Sequence, residues 1–410
     1  MSAEVPRVIG LLAVAILVAI AARRLRLPYT VGLVATGIAL ALGRIGGGIA
    51  LTHEFLFDVA LPPLLFEGAL HIPWRELRRD LVPVLTLSVL GVVVSAAVVA
   101  GGMRLLLDWP AAPAAVFGVL IGATDPVGVI ALFKDMAVKG RVRLLVESES
   151  LINDGVAAAL FALVIAWATA GGGEPATVTE ALRTLALVVG GGITAGLGCA
   201  LVAIAVAGRS PDRLVEAAVT AVAAYGSFLH AERVGGSGVL ATVTAGLVVS
   251  NLGMRGEVQG NPFSVAGRAL VISFWEFAAF VANSLVFLLI GLTVARTGVA
   301  GLGVKPLAVA VALVLAGRAA AVYPLCFLLR RTSVAVSRGE QHVLWWGGLR
   351  GALALALALA LPPSLADRDS VVIATFGVVV FSVLVQGLTV PALLRRLTLA
   401  PPDVGDGGET

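Results

Sequence analysis

The sequence predicts an all-α polytopic membrane protein, with about thirteen transmembrane helices and inverted repeats around two broken crossing helices. Three observations predict it. Of 410 residues, 59% are hydrophobic and 13% charged, and mean hydropathy is +1.01; soluble domains carry about 45–50% apolar and about 25% charged residues. Apolar runs approach the roughly 20 residues that a membrane-spanning helix needs, and they recur along the whole chain. Two of the runs are interrupted beside charged side chains at corresponding places in two halves, as inverted repeats require. The 48 glycines suit close helix packing in lipid.

The spans fall near 8–22, 29–43, 55–70, 81–107, 113–133, 144–169, 180–207, 214–230, 237–252, 270–295, 306–328, 341–361 and 370–394. The first ends at Arg23-Arg24-Leu25-Arg26 with no small-residue cleavage site, so it reads as a retained span rather than a signal peptide. Alternate loops sort the basic residues unevenly. One set, holding Arg75, Arg78, Arg79, Lys134, Lys139, Arg141, Arg143, Arg330 and Arg331 among others, carries nineteen; the other carries six. The rich set belongs to the cytoplasm, which puts the N-terminus outside and the C-terminus inside. This split, rather than any nucleic-acid partner, accounts for the net charge of +4. Residues 1–396 read as one transmembrane domain, and 397–410 as a polar, Gly-rich, disordered cytoplasmic tail with no soluble regulatory domain. Cys199 and Cys326 sit in apolar runs and read as small buried hydrophobes, and no zinc spacing exists.

The fifth span is broken at Gly122-Ala123-Thr124-Asp125-Pro126-Val127-Gly128. Pro126 donates no backbone hydrogen bond and disfavours helical geometry at Asp125. The freed carbonyls need a partner, such as an ion or a cavity water; a plain proline kink is the bland alternative. The twelfth span has its own interruption at Trp345-Trp346-Gly347-Gly348-Leu349-Arg350-Gly351-Ala352. The two breaks lie seven spans apart, as a six-plus-six repeat with one linking span would place them, and they point to a transporter with its site at mid-membrane.

The sixth span carries the sharpest signal, Glu147-Ser148-Glu149-Ser150-Leu151-Ile152-Asn153-Asp154-Gly155. A carboxylate at bilayer depth costs a few kcal/mol and is rarely kept without a task. Ser150 and Asp154 share one helix face, and Glu149 and Asn153 share the neighbouring one. One helix thus offers a carboxylate and a hydroxyl at one level with an amide beside them, oxygen ligands of the kind a hard monovalent cation takes. An ion-pair network that merely packs helices suits Glu147, which has Arg143 one turn back, but not Asp154, about two turns deeper with no local base. Glu149 needs a partner, and Arg318 is the only base midway along an otherwise apolar span, so the two are expected to pair. Glu67 and Glu276 read either as interfacial acids or as further ligands, and Asp58 as an acid near a span end. Asn283 is expected to hydrogen-bond between helices, and His53 and His230 are expected at span edges. No nucleotide loop, haem motif or nucleophile–base set appears, so neither an enzyme nor a cofactor is expected.

Together these pieces resemble the sodium/proton antiporters of the NhaP and NHE type, in the monovalent cation:proton antiporter superfamily. Thr124-Asp125-Pro126-Val127 is similar to the broken-helix motif and Glu149-Ser150-Leu151-Ile152-Asn153-Asp154 to the ion-site helix. Phe274-Trp275-Glu276-Phe277 with Asn283-Ser284, Gly348-Leu349-Arg350-Gly351-Ala352, and Gln386-Gly387-Leu388-Thr389-Val390-Pro391 follow in the family's order. The resemblance implies a thirteen-helix homodimer whose core, including 113–169 and 306–361, moves like an elevator against the remaining dimer and scaffold helices. It implies Asp154 as the exchanging carboxylate, with Ser150, Glu67 and the Thr124 carbonyl as sodium ligands. Asp125 falls in the unwound crossing, Glu149 and Arg318 take the family's ion pair, and Arg350 lies in the second broken helix with its role open. Asn153 beside Asp154, where electrogenic relatives carry two aspartates, implies electroneutral exchange of one cation for one proton.

The physics of exchange needs a single acid. Burial penalises the bare carboxylate, and either a proton or a cation removes the penalty. Competition for that acid couples the two flows. Rival readings are a potassium/proton antiporter on the same fold, a cation channel, for which no repeated pore loop is visible, and an organic-solute transporter, for which 6% aromatic residues is low. A short chain without a long tail suggests a bacterial inner membrane.

Overall fold

The computed structural model describes residues 4–25, 27–44, 51–125, 140–169, 178–255, 262–297 and 303–397, with the single positions Val129, Ile130, Phe133, Met136 and Val138. Among the described residues the secondary structure is helical throughout, with no strand. The chain runs through α1 (Glu4–Leu25), α2 (Tyr29–Leu42) and α3 (Leu61–His71), the last entered through a π turn at Phe55–Ala60. A short α4 (Trp74–Leu77) leads to α5 (Leu81–Leu107), which contains a π turn at Thr86–Leu90. α6 (Ala111–Leu120) stops at the first break. Then come α7 (Arg141–Thr169), α8 (Val178–Ala207), α9 (Arg213–Arg233), α10 (Gly238–Met254), α11 (Val265–Thr297) and α12 (Val304–Leu329). α13 (Arg338–Trp346) and α14 (Ala352–Leu359) flank the second break, and α15 (Arg368–Arg396) ends the described chain.

Seven of these helices are long and apolar enough to cross a membrane: α5, α7, α8, α9, α11, α12 and α15. Four apolar segments are shorter, at Val8–Ala22, Tyr29–Leu42, Ala111–Leu120 and Gly238–Met254. The expected thirteen counts these four, the stretch ending in α3, and the broken pair α13–α14 as spans. Pro126 and the tail from 398 onward lie outside the described residues.

The surface confirms the solvent. Leu105, Leu187, Val202, Val222 and Leu328 stand exposed on helix flanks, where a water-soluble protein would place charge and a bilayer accepts hydrocarbon. Inside, small residues set the spacing. α2 crosses α11 where Gly37 faces Gly291, and a Cβ on either would collide with the other helix's backbone. Both cysteines are free, Cys326 buried and Cys199 half-buried.

Two features hold the breaks in place. The Ala-Leu alternation of α14 is buried along nearly its full length, so the second break cannot slide. At one end of the bundle Arg141 ties three helix starts together. It donates to Asp80 Oδ1 at 2.9 Å and to the carbonyls of Ala335 and Val334 at 2.8 and 2.9 Å, with Glu340 at 3.4 Å. Glu340 also closes a capping box with Ser337 at the start of α13. The N-termini of α5, α7 and α13 are therefore one unit.

Candidate cation site

The two broken helices cross, and each break satisfies the other's backbone. The Asp125 amide donates to the Leu349 carbonyl at 2.7 Å. Arg350 sends Nη1 to the carbonyls of Gly122 and Ala123 at 2.7 and 3.0 Å. These carbonyls follow the C-terminus of α6, the negative end of a helix dipole, where a guanidinium is favourable. The Arg350 amide in turn donates to Ser382 Oγ at 2.9 Å, Ser382 donates to Gln386 Oε1, and Gln386 Nε2 donates to the Trp346 carbonyl at 3.0 Å. Ser382–Gln386 is a π turn within α15, and the extra residue per turn aims both side chains at the break. Gly351 is required by contact: a Cβ there would run into the Asp125 carboxylate.

α7 supplies the polar side chains, and Glu147, Ser148, Glu149, Ser150, Asn153 and Asp154 are all buried. Asn153 is fully engaged. Its Oδ1 accepts from the Thr124 amide at 3.2 Å, and its Nδ2 donates to Thr124 Oγ1 at 2.6 Å and to Glu149 Oε1 at 3.1 Å. Thr124 Oγ1 donates onward to Ser150 Oγ at 3.0 Å. Glu149 lies within a two-pronged bond from Arg318, whose Nη1 and Nη2 reach its oxygens at 2.7 and 2.8 Å. Arg318 also donates from Nε and Nη2 to the Leu344 carbonyl at 3.2 and 3.0 Å. This fork geometry meets the requirement that a buried guanidinium be paired and hydrogen-bonded. One network thus joins the first break, α7, α12 and α13.

Asp154 meets that network only at the Thr124 backbone. It is 7% exposed, and its Oδ1 is buried with no hydrogen-bond partner among the described residues. An unmatched buried carboxylate oxygen is costly, so something must balance it. The side chain lines a cleft together with Glu67, Thr124, Asp125, Glu147 and Gly351. The cleft offers about 50 Å³ to the centres of water molecules, several times the roughly 10–15 Å³ that one water needs. Ser150 and Asn153 are bonded to Thr124, one shell behind that lining. A second opening, lined by His71, Glu76, Arg143, Leu144 and Glu147, shares Glu147 with the first. Glu147 accepts from Arg143 Nε at 2.6 Å across one helical turn.

Other expected positions fall variously. His230 is exposed near the end of α9 and Asp58 is exposed in the π turn before α3. His53 does more than sit at an edge: its Nδ1 lies 3.2 Å from the Ala356 carbonyl of α14. Asn283 is buried, but its Oδ1 has no hydrogen-bond partner among the described residues, unlike the interhelical bond expected of it. Ser382 and His71 went unread in the sequence, and Gln386 was quoted there only as part of a motif. Ser382 and Gln386, four residues apart on α15, serve the second break. His71 follows Glu67 by four residues on α3, a spacing that puts both on one face and was legible.

Crossed interrupted helices beside a buried, unmatched acid define the class of helical membrane transporters built from inverted repeats. The sodium/hydrogen exchanger transmembrane profile matches residues 11–396. The chain is 40% identical over 375 residues to the Na(+)/H(+) antiporter ApNhaP of Aphanothece halophytica, across 91% of this chain and 70% of that one. It is 33% identical over 416 residues to the Na(+)/H(+) antiporter NhaH of Halobacillus aidingensis, across 96% of this chain and 98% of the other. In architecture it is similar to the sodium proton antiporter MjNhaP1 from Methanocaldococcus jannaschii, with a TM-score of 0.76 at 19% identity over 96% of this chain and 98% of that one. The chain belongs to the sodium/hydrogen exchanger family.

Proposed function

We propose that this chain is a secondary active antiporter that exchanges a monovalent cation, sodium or lithium first, for a proton, and that both ligands compete for Asp154. The observation that carries the reading is the Asp154 carboxylate, buried with an unmatched oxygen yet facing a cleft with room for water. A bare anion there is penalised, a protonated or cation-bound one is not. The carboxylate therefore changes sides of the membrane only when loaded. The Thr124 carbonyl and Glu67 are the further cation ligands in this reading, with Ser150, which accepts from Thr124 Oγ1 behind the lining, joining them when the cation enters, and Asp125 holding the crossing beside them. Asn153 carries no charge, so one cation exchanges for one proton without net charge movement. Glu149 and Arg318 hold the core together, and Arg350 balances the carbonyls of the first break.

The core helices α6, α7 and α12 to α14 move against the rest, and the protein works as a homodimer. This assembly, the bacterial inner-membrane location, and an outside N-terminus rest on the family resemblance and on the uneven arginine distribution. The test is a fluorescence dequenching assay on the purified protein in liposomes, following internal pH as lithium, sodium, potassium and rubidium are added in turn. Sodium and lithium should collapse an imposed pH gradient, and Asp154→Asn should abolish the response while eluting as a folded protein. A response to potassium and rubidium alone would assign the fold to potassium/proton exchange instead.

A further inference from the structure

A set of metal-ligating side chains stands on α3 and α11, and one of them, Glu67, also lines the cleft. α3 presents Glu67 and His71 one turn apart, and α11 brings Glu276 beside them. One ligand atom from each lies within 4.8 Å of the other two. His71 Nδ1 sits 2.9 Å from the Glu67 carbonyl oxygen. A carbonyl can only accept, so Nδ1 carries the proton and Nε2 presents its lone pair. Fixing one ring nitrogen on a carbonyl is how proteins orient a ligating histidine. Nε2 lies 3.6 Å from Glu276 Oε1. Nitrogen and oxygen ligands held at about 2.1 Å on a tetrahedral zinc ion stand roughly 3.4 Å apart, so the pair is already spaced for a shared metal. Glu67 supplies the third ligand, a carboxylate oxygen within 4.8 Å of the other two ligand atoms, and water would take the fourth position.

The frame beneath these ligands is rigid. Ser250 and Arg255 donate to the Leu70 carbonyl at 2.7 and 3.0 Å, and Asn251 donates to the Ile72 carbonyl at 3.0 Å. The side chains of Glu67, His71 and Glu276 are 22%, 24% and 47% exposed, so none is sealed from a metal ion. The set of one imidazole and two carboxylates suits a borderline first-row ion better than calcium or magnesium, which take oxygen ligands alone.

We infer that Glu67, His71 and Glu276 form an inhibitory site for a first-row divalent metal ion such as zinc. Glu67 also lines the Asp154 cleft, so a metal that claims its carboxylate withdraws it from the transported cation and slows exchange. Metal binding stands on this geometry alone; inhibition rests also on the exchange proposed above.

Tag-free full-length protein in detergent is titrated with cobalt(II), read by its visible absorption, and then with zinc as competitor. Zinc is next added to liposomes in the dequenching assay. The wild type should bind cobalt with tetrahedral absorption bands, release it to zinc, and lose exchange as zinc is added. His71→Gln, or Glu276→Gln if the first variant folds poorly, should weaken cobalt binding at least tenfold. It should also exchange normally without zinc and resist zinc by the same factor. Cobalt binding unchanged in both variants would overturn the site. Binding that leaves exchange untouched would overturn the inhibition. A wild type with no sodium-driven exchange at all would defeat the proposed function and leave the cobalt result standing.

Discussion

Asp154 and Glu149 are five residues apart on one buried helix, and their surroundings give them opposite tasks. Glu149 is matched on both oxygens by Arg318 and again by Asn153. Three hydrogen bonds, two of them from a guanidinium, fix it and neutralise its charge. Asp154 Oδ1 is unmatched, and the residue lines the cleft. The pairing makes a stability prediction. Arg318→Met leaves a buried carboxylate without its partner, a loss of about 3–5 kcal/mol. The melting temperature in detergent should fall accordingly. In Glu149→Leu/Arg318→Met the stranded charge is gone, and part of the loss should be recovered. A double variant less stable than the single one would mean that the pair itself, not the orphaned charge, dominates. Much of this was legible in the chain, because Glu147 has Arg143 one turn back while Glu149 and the lone arginine of α12 have few other choices. The role of Asn153 was not, since its bonds to Thr124 depend on how the first break unwinds.

At the scale of elements, the breaks are functional because they are completed by one another. Asp125 donates to Leu349, Arg350 donates back to Gly122 and Ala123, and α15 serves the second break through Ser382 and Gln386. These bonds meet several of the peptide groups that the breaks free, which lipid could not. Close approach at Gly351 is part of this design. Gly351→Ala should push Asp125 aside, separate the crossing strands and abolish exchange in the liposome assay, with a lowered melting temperature. Normal exchange in that variant would show that the crossing tolerates movement the geometry forbids. The existence of both breaks was readable from proline, glycine and arginine in apolar runs. How they interlock was not, because residues more than two hundred positions apart carry the bonds. The π turn that aims Ser382 and Gln386 leaves no mark in a pattern of apolar residues. His71 is the opposite case: its spacing from Glu67 was visible, and only the partner on α11 required the fold.

Across the whole molecule, the network from Thr124 through Asn153, Glu149 and Arg318 to Leu344 makes the broken helices, α7 and α12 one rigid body. Such a body can carry Asp154 between the two membrane faces without breaking internal bonds. The neutral Asn153 sets its electrical behaviour. With one cation moving against one proton, a membrane potential worth about 2.3 kcal/mol per charge per 100 mV exerts no net drive. In sealed vesicles, a potassium–valinomycin potential should leave the equilibrium sodium distribution unchanged, and a shift would show net charge movement. Fold class and span order were legible from composition, apolar run length and loop arginines, which act along the whole chain. Helix ends were less so, as at α11, which begins five residues before its expected start at 270. The most direct test of the central claim, that proton and cation share one carboxylate, is the sodium dependence of exchange measured at a series of pH values in liposomes. Competition predicts that on the acid side the apparent KM for sodium rises about tenfold for each unit fall in pH while the maximal rate stays constant. A KM independent of pH, with only the maximal rate changing, would contradict it.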